Sequence, residues 1–558
     1  MQCNCGSEHF DARFLCGYCV YKMTNESLRP AKVNNRTVLF ITLTFVILFV
    51  SYVVYMIPGK VTAAFGDDQS VYLVSAKALA AGQGYRLISR PDTPFDTAYP
   101  IGYPALIAPV FLLSASDYNA FFSARIVTLL LCFICSLLAW RFLQDYTSKN
   151  VAALLAVIIG FNPQVFLSSS NIASEWPFAL TVLIVIVLSK KSLVIACPSA
   201  FIGTAFAAGI CAAGATLIRT LGFTVVMGLI AYFCINRYWR HLINFLCGVG
   251  IIYAPWFLWS HAQSGKTAGG SRYLNQFADE FSWSTPLRNA WDISTHLFSQ
   301  LFFPPFDSRI VISTLGRYHL TGFISLVGLA FTLVFLIGLF QLIRRRDVVP
   351  AVLIPYLVIV IFWPWDFMRF LMPLFVLFLA AFVVGGQTLL SRLESRKDKT
   401  AGTLVRKSII PLLIFTVFSA AVIDGMWTRN LYKYKNAAGQ EAAEEWNERT
   451  LALDWLQQNT PGNSLVMSSY PEAVYLFTRR KTLSQGRSAA EIDAVLSQYR
   501  SKAKVFLFAT ERKSAAQFDK DKEFGMAPVL EYVRQKPGAL TLKWKNKANT
   551  MMIFEVTS

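Results

Sequence analysis

The sequence predicts an α-helical multi-span membrane protein, with about eleven transmembrane helices followed by a small C-terminal extracytoplasmic α/β domain. Three observations lead there. Of 558 residues, 54% are hydrophobic and 15% are charged, where a soluble chain carries about 25% charged residues. Apolar runs approaching the roughly 20 residues that cross a bilayer recur between positions 38 and 427. Aromatic residues make up 14% of the chain, 45 of them Phe, which suits a lipid-facing surface with interfacial belts. This composition argues against a cytosolic enzyme, and ten cysteines are too few and too scattered for a disulfide scaffold.

In chain order, the expected spans lie near 38–57, 119–140, 151–168, 176–189, 198–217, 221–236, 242–260, 319–343, 349–364, 370–390 and 409–427. The first starts beyond residue 35 without a small-residue cleavage site, so it reads as a span and not as a cleavable signal. A cytoplasmic N-terminus puts Arg141, Lys149, Lys190, Lys191, Arg237, Arg240, Arg344, Arg345, Arg346 and the cluster from Arg392 to Lys407 on the inner side. The short outer loops then hold little beyond Arg219 and Arg369. This is the positive-inside bias, and it accounts for much of the net charge of +19. No concentrated basic module is left over, so no nucleic-acid partner is expected.

The chain thus divides into a cysteine-bearing inner segment (1–35), a polytopic membrane domain (36–427) and an outer domain (428–558). In the last, Glu441 to Gln458 reads as an amphipathic helix. Leu465 to Ser469, Val505 to Ala509, Leu540 to Trp544 and Met551 to Val556 read as strands. Two long outer segments, 58–118 and 261–318, are rich in Pro, Gly and aromatic residues. Long structured loops are usually functional, so the chemistry is expected there.

In the first of these, Asp67-Asp68-Gln69-Ser70-Val71-Tyr72 follows the first span directly. Ionisable groups at the membrane edge point to function; the plainer reading is an Asp pair capping the next helix. Downstream, Asp96-Thr97-Ala98-Tyr99-Pro100-Ile101-Gly102-Tyr103-Pro104 reads as a rigid turn back towards the membrane.

These motifs resemble the GT-C superfamily of membrane glycosyltransferases. The likeness is greatest to families 39 and 83, which include protein O-mannosyltransferases and lipid A aminoarabinose transferases. Asp68-Gln69 with Tyr72 matches their Asp-Glu-x-x-Tyr pattern, and Pro100 to Pro104 their Pro-Pro-Gly-Tyr-Pro turn; Gln69 and Ile101 depart from it. Ser174-Glu175-Trp176, Leu217-Ile218-Arg219-Thr220-Leu221-Gly222 and Met368-Arg369-Phe370-Leu371-Met372-Pro373 resemble further elements in the same order. Trp455-Leu456 to Pro461, then Arg479-Arg480-Lys481, resembles the start of the family's outer domain.

The resemblance implies an enzyme of the cell envelope, embedded in the cytoplasmic (inner) membrane. It would move a sugar from a polyprenyl-phosphate donor to a glycan, lipid or protein acceptor at the outer face. Asp68, or Asp67 in its place, would be the general base. Because adjacent Asp side chains on a helix diverge, single displacement with inversion is favoured over a two-carboxylate retaining scheme. Tyr72, Asp96, Tyr103, Glu175, Arg219 and Arg369 would bind substrate, the two arginines meeting the lipid phosphate. Each has a plainer reading. Arg369 can pair with Asp366, Glu175 can cap the fourth span, Arg219 can snorkel to headgroups, and Asp96 can hold its turn. The rival class is a lipid or glycan transporter or flippase without catalysis, but no internal repeat of the transporter kind is visible. An oligosaccharide-transferring relative is a third reading; its Trp-Trp-Asp element is not matched by Trp365-Asp366.

Cys3, Cys5, Cys16 and Cys19 place four thiols in one short stretch. They fit a structural zinc knuckle, with His9 as a substitute ligand, or a tail whose thiols bind nothing. A divalent cation at the catalytic centre is neither required nor excluded by the sequence.

Overall fold

A computed structural model of the chain describes residues 35–56, 67–114, 116–169, 171–194, 198–263, 281–302, 320–364, 368–395, 408–423, 440–510, 526–547 and 549–557. The cysteine cluster at positions 3–19 and Asp366 lie outside the described residues. Helices α1 (Asn35–Met56), α2 (Asp67–Ala80), α3 (Gly102–Leu113), α4 (Asp117–Leu143), α5 (Lys149–Gly160) and α6 (Pro163–Ser169) open the fold. They are followed by α7 (Glu175–Val194), α8 (Pro198–Ile218), α9 (Gly222–Ile235), α10 (Trp239–Gln263) and α11 (Ser284–Phe302). Then come α12 (Leu320–Arg344), α13 (Val349–Ile361), the one-turn α14 (Met368–Leu371) and α15 (Phe375–Ser395), and α16 (Ser408–Ile423).

A helix lies at each expected apolar stretch. By length and composition, five are apolar enough to cross a membrane among the described residues: Asn119–Leu143, Glu175–Leu193, Trp239–Gln263, Gly322–Arg344 and Arg369–Arg392. Local chemistry explains the departures. The stretch 151–168 is two helices, because Pro163 offers no amide hydrogen and the Asn162 side chain accepts from the Gln164 and Val165 amides (3.0 and 3.4 Å). The segments 58–118 and 261–318, expected as outer loops, hold more helix than their composition implied. Within 58–118 lie α2 and the apolar α3. Within 261–318 lies α11, which buries Leu297, Phe298, Leu301 and Phe302 while exposing Leu287 and Trp291.

Small residues let the bundle close tightly. A Cβ at Gly209 or Gly248 would run into the backbone of the facing helix in the α8–α10 pair, as would one at Gly338 or Gly385 in the α12–α15 pair. At Gly102 it would lie 2.6 Å from the Leu217 carbonyl oxygen. The start of α3 therefore rests directly against the end of α8, next to Arg219.

The C-terminal unit begins with α17 (Gln440–Asn459) and continues through β1 (Leu465–Ser468), α18 (Pro471–Thr478), β2 (Lys481–Ser484) and α19 (Ala489–Tyr499). It ends with β3 (Val505–Thr510), α20 (Ala527–Gln535), β4 (Leu540–Lys545) and β5 (Met551–Val556). The sheet order is β2-β1-β3-β5-β4, with β1 parallel to β2 and β3, and the β4–β5 hairpin antiparallel. Alternation sorts the side chains to two faces. Leu465, Met467, Val505 and Leu507 pack under α19 and α20, whereas Val466, Phe506 and Phe508 pack under α17 and α18. The strand β2 went unrecognised in the sequence because Lys481-Thr482-Leu483-Ser484 carries only one large apolar residue.

This unit is docked on the stretch that links α2 to α4. The Thr482 amide donates to the Ser89 carbonyl (2.7 Å), Lys481 Nζ donates to the Ile88 carbonyl (2.7 Å) and Arg90 pairs with Glu472 (2.7 Å). Asp117 receives both Lys77 (2.9 Å) and Arg479. Leu476 of α18 enters the core of the helical bundle.

Candidate active site

The site is assembled from several segments, starting with α2. Asp68, Tyr72 and Ser75 fall at i, i+4 and i+7 and so share one face of that helix. Asp67 is its first residue and its side chain lies outside the described residues. Both carboxylate oxygens of Asp68 are engaged: Tyr99 Oη donates to Oδ1 (3.0 Å) and Arg369 Nη1 to Oδ2 (3.0 Å).

Arg369 sits on α14, whose geometry is held by Tyr356 Oη donating to the Phe370 carbonyl (2.6 Å). Its Nε donates to Glu175 Oε1. Glu175 is the first residue of α7, wholly buried, and its Oε1 also receives Arg219 Nη1 (2.9 Å). Its second oxygen, Oε2, finds no hydrogen-bond donor. Arg219, between α8 and α9, donates in addition to Ser174 Oγ (3.0 Å) and lies over the Phe370 ring (4.8 Å). Tyr72 Oη meets the same Ser174 hydroxyl (3.2 Å).

Five of the expected residues (Asp68, Tyr72, Glu175, Arg219 and Arg369) therefore form one network, drawn from segments up to 301 residues apart. They differ sharply in access. The Asp68 and Arg369 side chains keep 33% and 39% exposure, against 1% for Glu175 and 9% for Arg219. Arg219 is thus an internal partner of Glu175 and Ser174, not a side chain snorkelling to headgroups. Burial, and next the charge of Asp68, push the Tyr72 hydroxyl well above the usual tyrosine range, so it stays protonated and acts through hydrogen bonding.

The other two expected residues are buried. Tyr103 has no exposed surface; it bonds Thr128 Oγ1 (2.7 Å) and packs edge-on against Tyr72 (5.0 Å). Asp96 is buried in the turn, where Oδ1 accepts the Ala98 and Tyr99 amides (both 3.2 Å) and Oδ2 accepts Ser75 Oγ (3.1 Å). Those bonds favour the carboxylate, yet burial outweighs them and lifts Asp96 to about 6. Asp96 thereby fixes Tyr99, which reaches Asp68. Tyr99 stands in the turn motif but was assigned no role from sequence, since nothing local marks a bond to a residue 31 positions away.

Among the described residues, no group of three or more His, Cys, Asp or Glu side chains gathers as a metal site. The chemistry visible here is a rim carboxylate beside a rim guanidinium, both backed by a buried carboxylate and a second arginine.

No protein-family profile matches the chain, and no curated protein sequence does. Solved structures do match. ArnT from Cupriavidus metallidurans bound to undecaprenyl phosphate is similar over 94% of this chain and 98% of that one, at 12% identity and a TM-score of 0.57. The Archaeoglobus fulgidus oligosaccharyltransferase in complex with Zn and sulfate is similar over 91% and 72%, at 11% identity and a TM-score of 0.52. The Archaeoglobus fulgidus oligosaccharyltransferase AglB, with an inhibitory peptide and a dolichol-phosphate, is similar over 93% and 74%, at 12% identity and a TM-score of 0.50. The chain shares the fold of these structures.

Proposed function

We propose that the protein is a membrane glycosyltransferase that moves a sugar from a polyprenyl-phosphate donor to an acceptor at the outer face. In this reading the apolar helices α1, α4–α10, α12, α13, α15 and α16 sit in the bilayer, α5 and α6 together making one crossing. The N-terminus is cytoplasmic and the C-terminal unit extracytoplasmic. The observation that carries the proposal is the 3.0 Å pairing of Asp68 with Arg369, both partly exposed. Transfer needs a base for the acceptor and a cation for the leaving phosphate, and this pair supplies one of each. The undecaprenyl phosphate of the ArnT structure and the dolichol-phosphate of the AglB structure support a lipid phosphate as the anion that Arg369 meets.

The acceptor oxygen attacks the anomeric carbon and its proton passes to Asp68. The bond from that carbon to the phosphate oxygen breaks, and its electron pair stays on the phosphate beside Arg369. Glu175 is too deeply buried to serve as a second, nucleophilic carboxylate, which supports single displacement with inversion.

The test is transfer from labelled polyprenyl-phosphate monosaccharides to a panel of envelope acceptors by purified protein. Asp68→Asn is expected to lower turnover by about 100-fold or more, with Asp67→Asn close to the parent. Equal turnover by parent and Asp68→Asn refutes the base assignment. Movement of lipid across vesicles without a glycosidic product points to the transporter class instead.

A further inference from the structure

We propose that Arg369 is a counter-ion that changes partners during the reaction: it holds Asp68 at rest and passes to the donor phosphate as the sugar leaves. Glu175 is the positioning residue that keeps its guanidinium within reach of both. This rests on the glycosyltransferase reading above and adds an order of events to it.

The division of contacts on Arg369 is the starting point. Nε is bound to the buried Glu175, whereas Nη1 is bound to the accessible Asp68. One side of the guanidinium is therefore anchored and the other faces a partner at the rim. Arg219 cannot play this part. It is buried, and its Nη1 is shared between Glu175 and Ser174.

Charge supplies the second argument. Asp68 and Glu175 carry two negative charges and Arg219 and Arg369 two positive ones, so the resting network is neutral. A bound phosphodiester adds one negative charge. During transfer Asp68 gains the acceptor's proton while the phosphate, losing the sugar, gains a negative charge. The total at the site is unchanged, but one negative charge has moved from Asp68 to the phosphate. A rim cation anchored by Glu175 follows that charge by pivoting as a rigid plane about its Nε contact, at little cost in reorganisation. The orphaned Oε2 of Glu175 gives the guanidinium a second acceptor along the way.

The experiment measures binding of undecaprenyl phosphate, the product-like lipid without sugar, to the full-length protein in nanodiscs. Asp68→Asn frees Nη1 and is expected to tighten binding about tenfold; Asp68→Ser is expected to do the same. In Arg369→Gln the lipid binds more weakly than to the parent, and adding Asp68→Asn to it restores nothing. If the parent binds and transfers but Asp68→Asn binds no tighter, the partner exchange is wrong and the glycosyltransferase reading stands. If Asp68→Asn tightens binding even with Gln at 369, simple charge repulsion explains the gain and the exchange is again refuted. If the parent neither binds the lipid nor forms a glycosidic bond, the reading of function fails first.

Discussion

Asp96 illustrates how two opposing effects are weighed at a single residue. Three donors stabilise its charge, but burial prevails and its carboxyl titrates near 6 instead of the ordinary 3.8. The folded protein thus keeps a proton that the unfolded chain has already lost. Stability from neutral Asp96 is complete below about pH 4 and is lost as pH rises through about 6, a change on the order of 2–3 kcal/mol. Asp96→Asn is always neutral and keeps the turn acceptor, so its melting temperature should fall less between pH 4 and 6.5 than that of the parent. Parallel melting curves would show that Asp96 titrates normally. The carboxylates and arginines were readable from the sequence because they fall in motifs that resemble a known family, and because the short loops carrying Arg219 and Arg369 hold few other charges. Their sorting into rim and interior was not, because exposure depends on neighbours contributed by distant segments.

At the scale of elements, hydrophobic runs placed the helices well and local breakers modified them. Asn162-Pro163 interrupts one stretch, and α11 escaped notice because its apolar residues recur at helical spacing between Arg288, Asp292 and His296 and never form a run. Helix contacts were less legible. Gly338 and Gly385 face each other's helices, and Gly102 faces the Leu217 carbonyl. Gly338→Leu should lower stability by about 1–3 kcal/mol, and Gly102→Ala by a comparable amount, read as the midpoint of thermal unfolding in detergent. Gly250, with nothing within 4 Å, is the control: Gly250→Ala should leave the midpoint within about 1 °C or raise it slightly.

On the scale of the whole molecule, the C-terminal unit holds the stretch that links α2 to α4. Glu472, only 7% exposed, pairs with Arg90, while Asp117 joins Lys77 of α2 to Arg479 after α18. The helix carrying Asp68 is therefore tied to both units. Glu472→Ala leaves Arg90 without its partner and should loosen the docking by about 1–3 kcal/mol. The expected readout is faster proteolysis around residues 86–95, with the bundle still folded by gel filtration. Unchanged cleavage would place the docking energy elsewhere, in Leu476 and the Thr482–Ser89 contact.

Composition and the spacing of apolar and basic residues by themselves determined that this is a helical membrane protein with an α/β appendage, because burying a helix in lipid or a strand in a sheet leaves a periodic mark on the chain. The motif order also brought Asp68, Tyr72, Glu175, Arg219 and Arg369 to attention. Only the tertiary structure decided that Arg369 lies between Asp68 and Glu175, that Arg219 is buried and that Tyr99 completes the rim. Those facts are pairings across tens to hundreds of residues. They are set by how helices cross and how closely glycines let them approach, which no local pattern encodes.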